Sequence, residues 1–133
     1  MTKSPATKHV LLIDDDPVTN MINKKIITKN FNVTVRDYTN ALEVLDQLNL
    51  WISKLPEQLP EFIFLDINMP VIDGWQFLTE FEKLPAYVQE KCKIFILTSS
   101  IDLEDIEKSR SHKSVREFIS KPLTPGKLKQ LID

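Results

Sequence analysis

Two runs of four apolar residues each end in aspartate, and these two junctions constrain the fold of the chain most strongly. Residues 10–13 (VLLI) precede Asp14 and Asp15, and residues 62–65 (FIFL) precede Asp66. Continuous apolar runs of this length are typical of strands that are buried on both faces of a parallel sheet. Ligands of open α/β sheets bind at the carboxyl ends of the strands, so the three aspartates are predicted to meet at such a site. Crowded carboxylates repel one another, which indicates that a cation lies among them.

Strand and helix patterns alternate along the whole chain, whose 133 residues suit one domain. Each of five predicted strands is followed by residues with helical spacing. The strands cover residues 9–13, 32–35, 62–65, 93–97 and 117–120. Repeated βα units with short links favour a parallel sheet covered by helices on both faces. We therefore predict an α/β fold of (βα)5 type and a single domain over residues 1–133, with its core at about residues 8–133 and a flexible tail at residues 1–7.

The first predicted helix begins directly after a run of three aspartates. Asp16 is of the residue type that caps helix N-termini, and Pro17 is favoured at the first helical position. Val18, Ile22 and Ile26 recur every four residues and are predicted to form the buried face of this helix. A metal-ligand role for Asp16 is the less favoured alternative.

Two later helices are predicted from turn and capping signals. Asp73 and Gly74 mark a turn before a third helix, which is expected to end before Pro85. Asp102 is placed to cap a fourth helix, with Leu103 directed towards the core.

The charge balance and the single cysteine argue against several classes of partner and compartment. Seventeen basic and nineteen acidic residues give a net charge of −2, which favours neither nucleic acid nor an anionic membrane surface. The apolar runs are too short to span a bilayer, and the N-terminal residues lack the apolar segment of a secretory signal. Cys92 is the only cysteine, so no disulfide can form within the chain. These observations predict a cytoplasmic protein with no direct nucleic-acid or membrane partner.

Several short motifs occur together in the order, and at the strand ends, that are typical of one signalling family. They are Asp14-Asp15, Asp66 within the sequence FLDINMP, Asp73-Gly74, Thr98 and Lys121-Pro122. With these motifs the chain resembles a response-regulator receiver domain of the chemotaxis-regulator type, the phosphoacceptor partner of histidine kinases in two-component signalling. The resemblance spans about residues 8–133. It implies a flavodoxin-like three-layer sandwich in which the parallel strands have the order 2-1-3-4-5.

The resemblance assigns Asp66 as the phosphoacceptor. Attack of a carboxylate on phosphorus gives an acyl phosphate, which is a recognised form of covalent chemistry. The implied cofactor is Mg²⁺, bound directly by Asp15, mainly through water by Asp14, and also by Asp66 and the backbone carbonyl of Asn68. Oxygen ligands of this kind, with several waters retained, suit the octahedral preference of Mg²⁺.

Three further residues are implied to act once Asp66 is modified. The ammonium of Lys121 suits a phosphoryl oxygen, and the Thr98 hydroxyl would donate to the same group. Phe118 on the fifth strand would turn inward behind Thr98, so Thr98 and Phe118 form the implied switch. The peptide bond between Lys121 and Pro122 is expected to be cis, which proline permits.

The lifetime of the phosphorylated state depends on how water reaches the phosphoryl group. Asn68 and Ser100 occupy positions that influence this access in the family, and both side chains are small and polar. We therefore expect an aspartyl phosphate that lasts minutes rather than days.

The resemblance also implies the partners. A sensor histidine kinase or a histidine phosphotransfer protein would donate the phosphoryl group. The signal would pass to an unknown downstream protein through the face formed by the fourth predicted helix, the fifth strand and the last helix. A dimer that forms on phosphorylation is a further alternative. The chain would not be an enzyme in the usual sense, because it would catalyse only its own phosphorylation and dephosphorylation. We expect a stand-alone receiver rather than part of a longer regulator, because Met1 closely precedes the first strand.

Two alternatives belong to other classes of protein. One is a pseudo-receiver, an interaction module that works without phosphorylation. The other is a haloacid-dehalogenase-type phosphatase, because residues 14–18 (DDDPV) match the opening motif of that family. The phosphatase also needs an acidic pair after its lysine, which the twelve residues after Lys121 lack, and it leaves Asp66 unexplained.

Overall fold

Five strands form one parallel sheet in the computed structural model, which describes residues 8–69, 72–99 and 102–132. The strands are β1 Lys8–Ile13, β2 Val33–Tyr38, β3 Phe62–Asp66, β4 Lys93–Thr98 and β5 Val115–Ser120. Their order across the sheet is β2-β1-β3-β4-β5, and every neighbouring pair is parallel. The predicted flavodoxin-like α/β fold with strand order 2-1-3-4-5 is therefore confirmed. The tail predicted at residues 1–7 lies outside the described residues.

Six α-helices lie between or after the strands within the described ranges. They are α1 Pro17–Asn30, α2 Ala41–Lys54, α3 Gly74–Phe81, α4 Ala86–Lys91, α5 Leu103–Ser109 and α6 Pro125–Ile132. A short 3-10 helix, Pro56–Gln58, follows α2. None of the helices described is both long enough and apolar enough to cross a membrane.

Helix α4 was not predicted from the sequence. The third predicted helix ends before Pro85, as expected, since α3 ends at Phe81, and Pro85 directly precedes the additional helix α4. The carbonyl of Pro85 accepts hydrogen bonds from the N–H groups of Val88 and Gln89, so the proline starts a new turn. Proline interrupts a helix interior but is compatible with a helix start, so Pro85 follows the end of α3 and also begins the turn that leads into α4.

Side chains along each strand point alternately to the two faces of the sheet, and this divides the core into two apolar layers, one on each face. Leu11 and Ile13 of β1 pack in the layer that α2, α3 and α4 cover, whereas Val10 and Leu12 pack with α1 and α6. Successive side chains of a strand point to opposite faces, so a strand covered on both sides has continuous apolar sequence. The two helical layers and the sheet between them form the predicted three-layer sandwich.

Helix α1 presents a different face to the core from the one predicted. Val18 and Ile22 are 54% and 51% exposed, whereas Asn20 and Ile27 are fully buried. The Nδ2 group of Asn20 donates to two backbone carbonyls at the carboxyl ends of β1 and β2, at 3.0 and 3.1 Å. Because Asn20 must be buried to make these two bonds, they fix the rotation of the helix and outweigh the apolar spacing.

The predicted burial of Leu103 is also wrong, since its side chain is 79% exposed at the start of α5. The predicted cap is correct, because the side chain of Asp102 accepts a hydrogen bond from the N–H of Asp105 at 2.9 Å. A helix of seven residues has about two turns, too few for apolar spacing to decide which face is buried.

Helix α3 begins in close contact with the residue that follows β3. Asp73 and Gln76 form a capping box at its start, and the N–H of Gly74 donates to the carbonyl of Ile67 at 3.1 Å. A Cβ atom on Gly74 would lie 2.6 Å from the Cα of Ile67, so only glycine allows this approach. The contact holds α3 against the residue after Asp66.

Candidate functional site

Three aspartates meet at the carboxyl edge of the sheet. Strands β1 and β3 are neighbours with Ile13 opposite Leu65, so Asp14 and Asp66 come next to each other at this edge. Carboxylate oxygens of Asp14, Asp15 and Asp66 all lie within 4.8 Å of one another. Asp14 and Asp66 are buried, and Asp15 is exposed. The structure therefore brings the three predicted carboxylate ligands into one cluster.

Lys121 reaches this cluster from the end of β5. Its Nζ atom donates a hydrogen bond to Oδ2 of Asp14 at 2.8 Å and lies 3.8 Å from Oδ2 of Asp66. Its backbone N–H donates to the carbonyl of Thr98 at 2.9 Å, and the peptide bond to Pro122 is cis. The lysine thus joins the ends of three strands, although 107 residues separate it from Asp14.

The surroundings of Asp66 and Lys121 change the acidity of both groups. Burial is the largest cause that raises the pKa of Asp66 above its usual value, and the charges of Asp14 and Asp15 add to it. The N–H of Asn68, which donates to Oδ1 of Asp66 at 3.0 Å, and the Lys121 ammonium act in the opposite direction. Burial alone would lower the pKa of Lys121, but the hydrogen bond to Asp14 and the charge of Asp66 outweigh it, so that pKa is raised. Lys121 therefore remains positively charged at neutral pH.

The donor set fits a small divalent cation. The cluster places one ammonium among three carboxylates, so it has fewer positive groups than acidic ones. Carboxylate oxygens are hard ligands of the kind that Mg²⁺ prefers, and Mg²⁺ keeps several waters, so few protein ligands suffice. Asn68, which was predicted to contribute its carbonyl, makes its described contact with the cluster through its N–H group.

Asp16 caps α1, as predicted. One oxygen of its carboxylate accepts from the N–H of Val18 at 2.9 Å, and the other accepts from the hydroxyl of Thr19 at 3.0 Å. Both hydrogen bonds lower the pKa of Asp16, and the bond from Thr19 has the larger effect. Both oxygens serve the helix start, so the third aspartate of the run has a different role from the first two.

Thr98 lies at the same edge of the sheet, at the end of β4. It is buried, and it pairs in register with Ser120 of β5. Strand β4 lies between β3, which ends at Asp66, and β5, which Lys121 directly follows, so Thr98 lies between these two residues along the edge of the sheet. Ser100, which was predicted to influence water access, lies outside the described residues, as does Pro70 of the FLDINMP motif.

Phe118, the predicted switch residue, is half-buried and lies near Trp75. The two ring centroids are 6.5 Å apart, and the ring planes are inclined at 55°. The ring of His112 stacks on Trp75 with a centroid separation of 5.8 Å, and Nζ of Lys108 lies 5.2 Å from the Trp75 centroid. These contacts connect the start of α3 with α5 and β5.

Sequence reasoning missed a polar cluster around Glu82 that lies beside this aromatic group. Nδ1 of His112 is 2.9 Å from Oε1 of Glu82, and the hydroxyl of Ser114 donates to Oε2 of Glu82 at 2.6 Å. The partners are 30 and 32 residues apart in sequence, and no recognised motif pairs them. Only the tertiary fold, which places the end of α3 next to the loop before β5, reveals the contact.

Comparison with known proteins gives consistent matches over nearly the whole chain. A family model described as the response regulator receiver domain matches residues 10–133. The chain is 32% identical over 120 residues to the sensor histidine kinase CheAY of Helicobacter pylori, and the match covers 90% of this chain and 14% of that protein. It is 29% identical over 124 residues to the probable C4-dicarboxylate response regulator DctR of Bacillus subtilis, with coverage of 93% and 50%. The chain thus spans one seventh and one half of the lengths of these two relatives.

A solved structure agrees in both sequence and fold. The crystal structure of a two-component response regulator from Cytophaga hutchinsonii superposes with a TM-score of 0.86 and 32% sequence identity. The superposition covers 96% of each chain.

Proposed function

Because the chain belongs to the response regulator receiver domain family, we propose that Asp66 accepts a phosphoryl group from a sensor histidine kinase or a histidine phosphotransfer protein. One observation carries this proposal: Asp66 lies buried among two other carboxylates, with the Lys121 ammonium 3.8 Å from its Oδ2 atom. Two buried carboxylates beside a third, exposed one, with one ammonium between them, are costly for stability, which favours a functional reason for the cluster.

The proposed reaction is the transfer of a phosphoryl group to an oxygen of Asp66. A bond forms between this oxygen and phosphorus, and the bond from phosphorus to the imidazole nitrogen of the donor breaks, with the electron pair remaining on the nitrogen. Attack requires ionised Asp66. Burial raises the pKa of Asp66, while the N–H of Asn68 and the Lys121 charge favour its ionised form.

We assign the metal site of this reaction to the acid cluster. Asp14, Asp15, Asp66 and the backbone carbonyl of Asn68 would hold Mg²⁺, which when bound supplies positive charge to the phosphoryl oxygens. The proximity of the three carboxylates and their excess over the single ammonium support this assignment.

Lys121 and Thr98 are proposed to bind the transferred group. Lys121 would direct its Nζ to a phosphoryl oxygen, and Thr98 would donate its hydroxyl to another, since both residues reach the edge at which Asp66 lies. Phe118 would follow Thr98 inward and change its contact with Trp75. The result would be a population shift in the face formed by α5, β5 and α6, through which a downstream protein or a second copy of the chain would read the state.

The proposed activity is confined to the chain itself. It would catalyse its own phosphorylation and dephosphorylation and act on no separate substrate, and so it is not an enzyme in the usual sense. A nearly balanced charge of −2 supports protein partners rather than nucleic acid or membrane. A cytoplasmic location is supported by the single Cys92, because disulfide frameworks mark oxidising compartments.

The structure adds nothing in favour of the phosphatase alternative beyond the sequence match at residues 14–18. Asp16, the second aspartate of that opening motif, uses both carboxylate oxygens to bind the first turn of α1, as a helix cap does. The pseudo-receiver alternative retains the fold but predicts that Asp66 does not react.

Intact mass after incubation with acetyl phosphate and Mg²⁺ tests the proposal. Wild type is expected to gain one phosphoryl group, about 80 Da, and Asp66→Ala is expected to gain none. Asp46→Asn, which removes an exposed carboxylate on α2, is the matched control and should behave as wild type. Absence of the gain in folded wild type would favour the pseudo-receiver, and a gain that survives Asp66→Ala would move the phosphoacceptor elsewhere.

A further inference from the structure

Lys127 binds both backbone carbonyls that flank Lys121. It lies in the first turn of α6, and its Nζ atom donates to the carbonyl of Ser120 at 2.8 Å and to that of Pro122 at 3.1 Å. The same Nζ lies 3.4 Å from the hydroxyl of Ser120. One ammonium therefore joins the end of β5 to the start of the last helix.

These carbonyls lack the partners that a more central strand would provide. In the described sheet β5 is an edge strand, with β4 on one side only. The N–H of Lys121 bonds towards β4 through the carbonyl of Thr98. Main-chain groups of successive residues point to alternate sides of a strand, so the Ser120 carbonyl faces away from β4. A charged donor on such a carbonyl gives a stronger hydrogen bond than a neutral donor gives.

The position of Lys127 is set by a hydrogen bond from its backbone and by the packing of the helix on which it lies. Its N–H donates to the hydroxyl of Thr124, which lies directly before α6, at 3.2 Å. Leu128 and Ile132 anchor the helix in the core, where both are buried. The packing of α6 therefore sets the position from which the Lys127 ammonium holds the loop.

We propose that Lys127 is a positioning residue for Lys121, an inference that rests on the proposed phosphoacceptor function. Lys121 must extend from β5 to within 2.8 Å of Asp14 and 3.8 Å of Asp66, so its reach depends on where its backbone lies. Lys127 holds that backbone on both sides of Lys121 by its bonds to Ser120 and Pro122. Small errors in the placement of a reacting charge lower reaction rates strongly.

The test compares two variants of Lys127 with a matched control on the same helix. Lys127→Met keeps the aliphatic stem and removes the donor, Lys127→Arg restores donors, and Lys129→Met removes an exposed positive charge elsewhere on α6. The measurement is the rate of Asp66 phosphorylation against acetyl phosphate concentration with Mg²⁺, which separates the maximal rate from the half-saturating concentration. Thermal unfolding of each variant confirms the folded fraction.

A positioning role predicts a specific pattern. Lys127→Met should lower the maximal rate by at least about threefold, Lys127→Arg should recover most of it, and Lys129→Met should match wild type. In a Lys121→Met background, Lys127→Met should change the rate by less than about 1.5-fold, because the residue through which it acts is already gone. A merely structural role would lower the rate by the same factor in both backgrounds.

Failure of the inference is distinguishable from failure of the proposed function. Suppose that wild type is phosphorylated but Lys127→Met has the same maximal rate as Lys129→Met, or that Lys127→Met lowers the rate by the same factor in the Lys121→Met background. Either result overturns the positioning role of Lys127 and leaves the assignment of Asp66 as phosphoacceptor intact. If wild type takes no phosphoryl group, the proposed function is overturned, and the inference falls with it.

Discussion

The ammonium of Lys121 lies 2.8 Å from a carboxylate oxygen of Asp14 and 3.8 Å from one of Asp66, so it is closer to the proposed metal ligand than to the proposed phosphoacceptor. Asp14 is buried and needs a positive partner, which Lys121 supplies in the unphosphorylated state. A phosphoryl group on Asp66 would offer new anionic oxygens a short distance away. Movement of Lys121 from Asp14 to these oxygens would carry a change at Asp66 to the loop after β5.

Replacement of Lys121 by methionine should slow phosphorylation of Asp66. The variant keeps the apolar stem but removes the charge that stabilises phosphoryl oxygens, and loss of such a preorganised donor typically lowers rates by roughly 10- to 100-fold or more. The measurement is the initial rate of mass gain with acetyl phosphate and Mg²⁺. Lys129→Met is the control for loss of one positive charge, and an unchanged rate in Lys121→Met would contradict the role assigned to this lysine.

Magnesium should stabilise the folded protein through Asp15 and not through Asp16. Binding to the native state alone adds about 2.7 kcal/mol to the free energy of unfolding at a ligand concentration of 100 times Kd. Asp15→Asn should lose most of this gain. Asp16→Asn removes the same charge one residue later but keeps the capping ability, so it should respond to Mg²⁺ as wild type does. Urea unfolding in Mg²⁺ and in EDTA measures the difference, and equal responses of the two variants would disprove the ligand assignment.

Neutralising Asp66 should stabilise the metal-free protein at neutral pH. Burial raises the pKa of Asp66 in the folded state, so the native state binds its proton more tightly than the unfolded state does. The free energy of unfolding therefore falls as pH rises from the usual aspartate pKa through the raised one, and stays lower above it. Asp66→Asn removes this loss and retains an acceptor for the N–H of Asn68.

Urea unfolding in EDTA at pH 7 and near pH 3 tests the sign of this effect. At pH 7 the asparagine variant should have the higher free energy of unfolding, and the advantage should shrink near pH 3, where Asp66 is protonated in both states. Asp46→Asn, on the exposed side of α2, should show no such gain. A variant less stable than wild type at pH 7 would mean that the ionised carboxylate is stabilised by its partners.

The sheet and the acid cluster follow from local sequence, because each depends on contiguous residues. The apolar runs at residues 10–13 and 62–65 fix the two strands, and the aspartates that follow them must then leave the sheet at one edge. Asp14 and Asp66 come together because β1 and β3 are neighbours in the sheet. The strand order came from the resemblance to a family rather than from spacing.

The rotation of α1 does not follow from local sequence. Val18 and Ile22 have the apolar spacing of a buried face, yet Asn20 is the residue that turns inward, because its amide bonds to carbonyls of β1 and β2. Those acceptors exist only after the strands have paired. The contact of His112 with Glu82 depends on tertiary structure in the same way.

The two glycines of the chain should respond in opposite directions to substitution by alanine. In Gly74→Ala the new Cβ would lie 2.6 Å from backbone of Ile67, so either α3 or the residues after Asp66 must move. We expect a loss of about 1–3 kcal/mol in the free energy of unfolding, the usual range for overpacking. A Cβ atom on Gly126 would meet no neighbouring part of the described chain within 4 Å, so Gly126→Ala should gain about 0.4–1 kcal/mol. Urea unfolding measures both, and equal values would contradict the close approach at Gly74.

Fluorescence of Trp75 should report the phosphorylated state. Its ring lies 6.5 Å from that of Phe118 and stacks on His112, so inward movement of Phe118 would change its surroundings. Trp51 is buried on α2 beneath the guanidinium of Arg36, away from these contacts, and Trp51→Phe leaves Trp75 as the only tryptophan. In that background, acetyl phosphate with Mg²⁺ should change the emission intensity.

Two further variants identify the source of this change. Asp66→Ala should abolish it if it requires phosphorylation, and Phe118→Ala should reduce it while phosphorylation measured by mass continues. A signal that is unaffected by Phe118→Ala would show that Trp75 senses the site by another route, such as a shift of α3 transmitted from Ile67 through its contact with Gly74. The combination therefore separates movement of the switch residue from movement of the helix on which Trp75 lies.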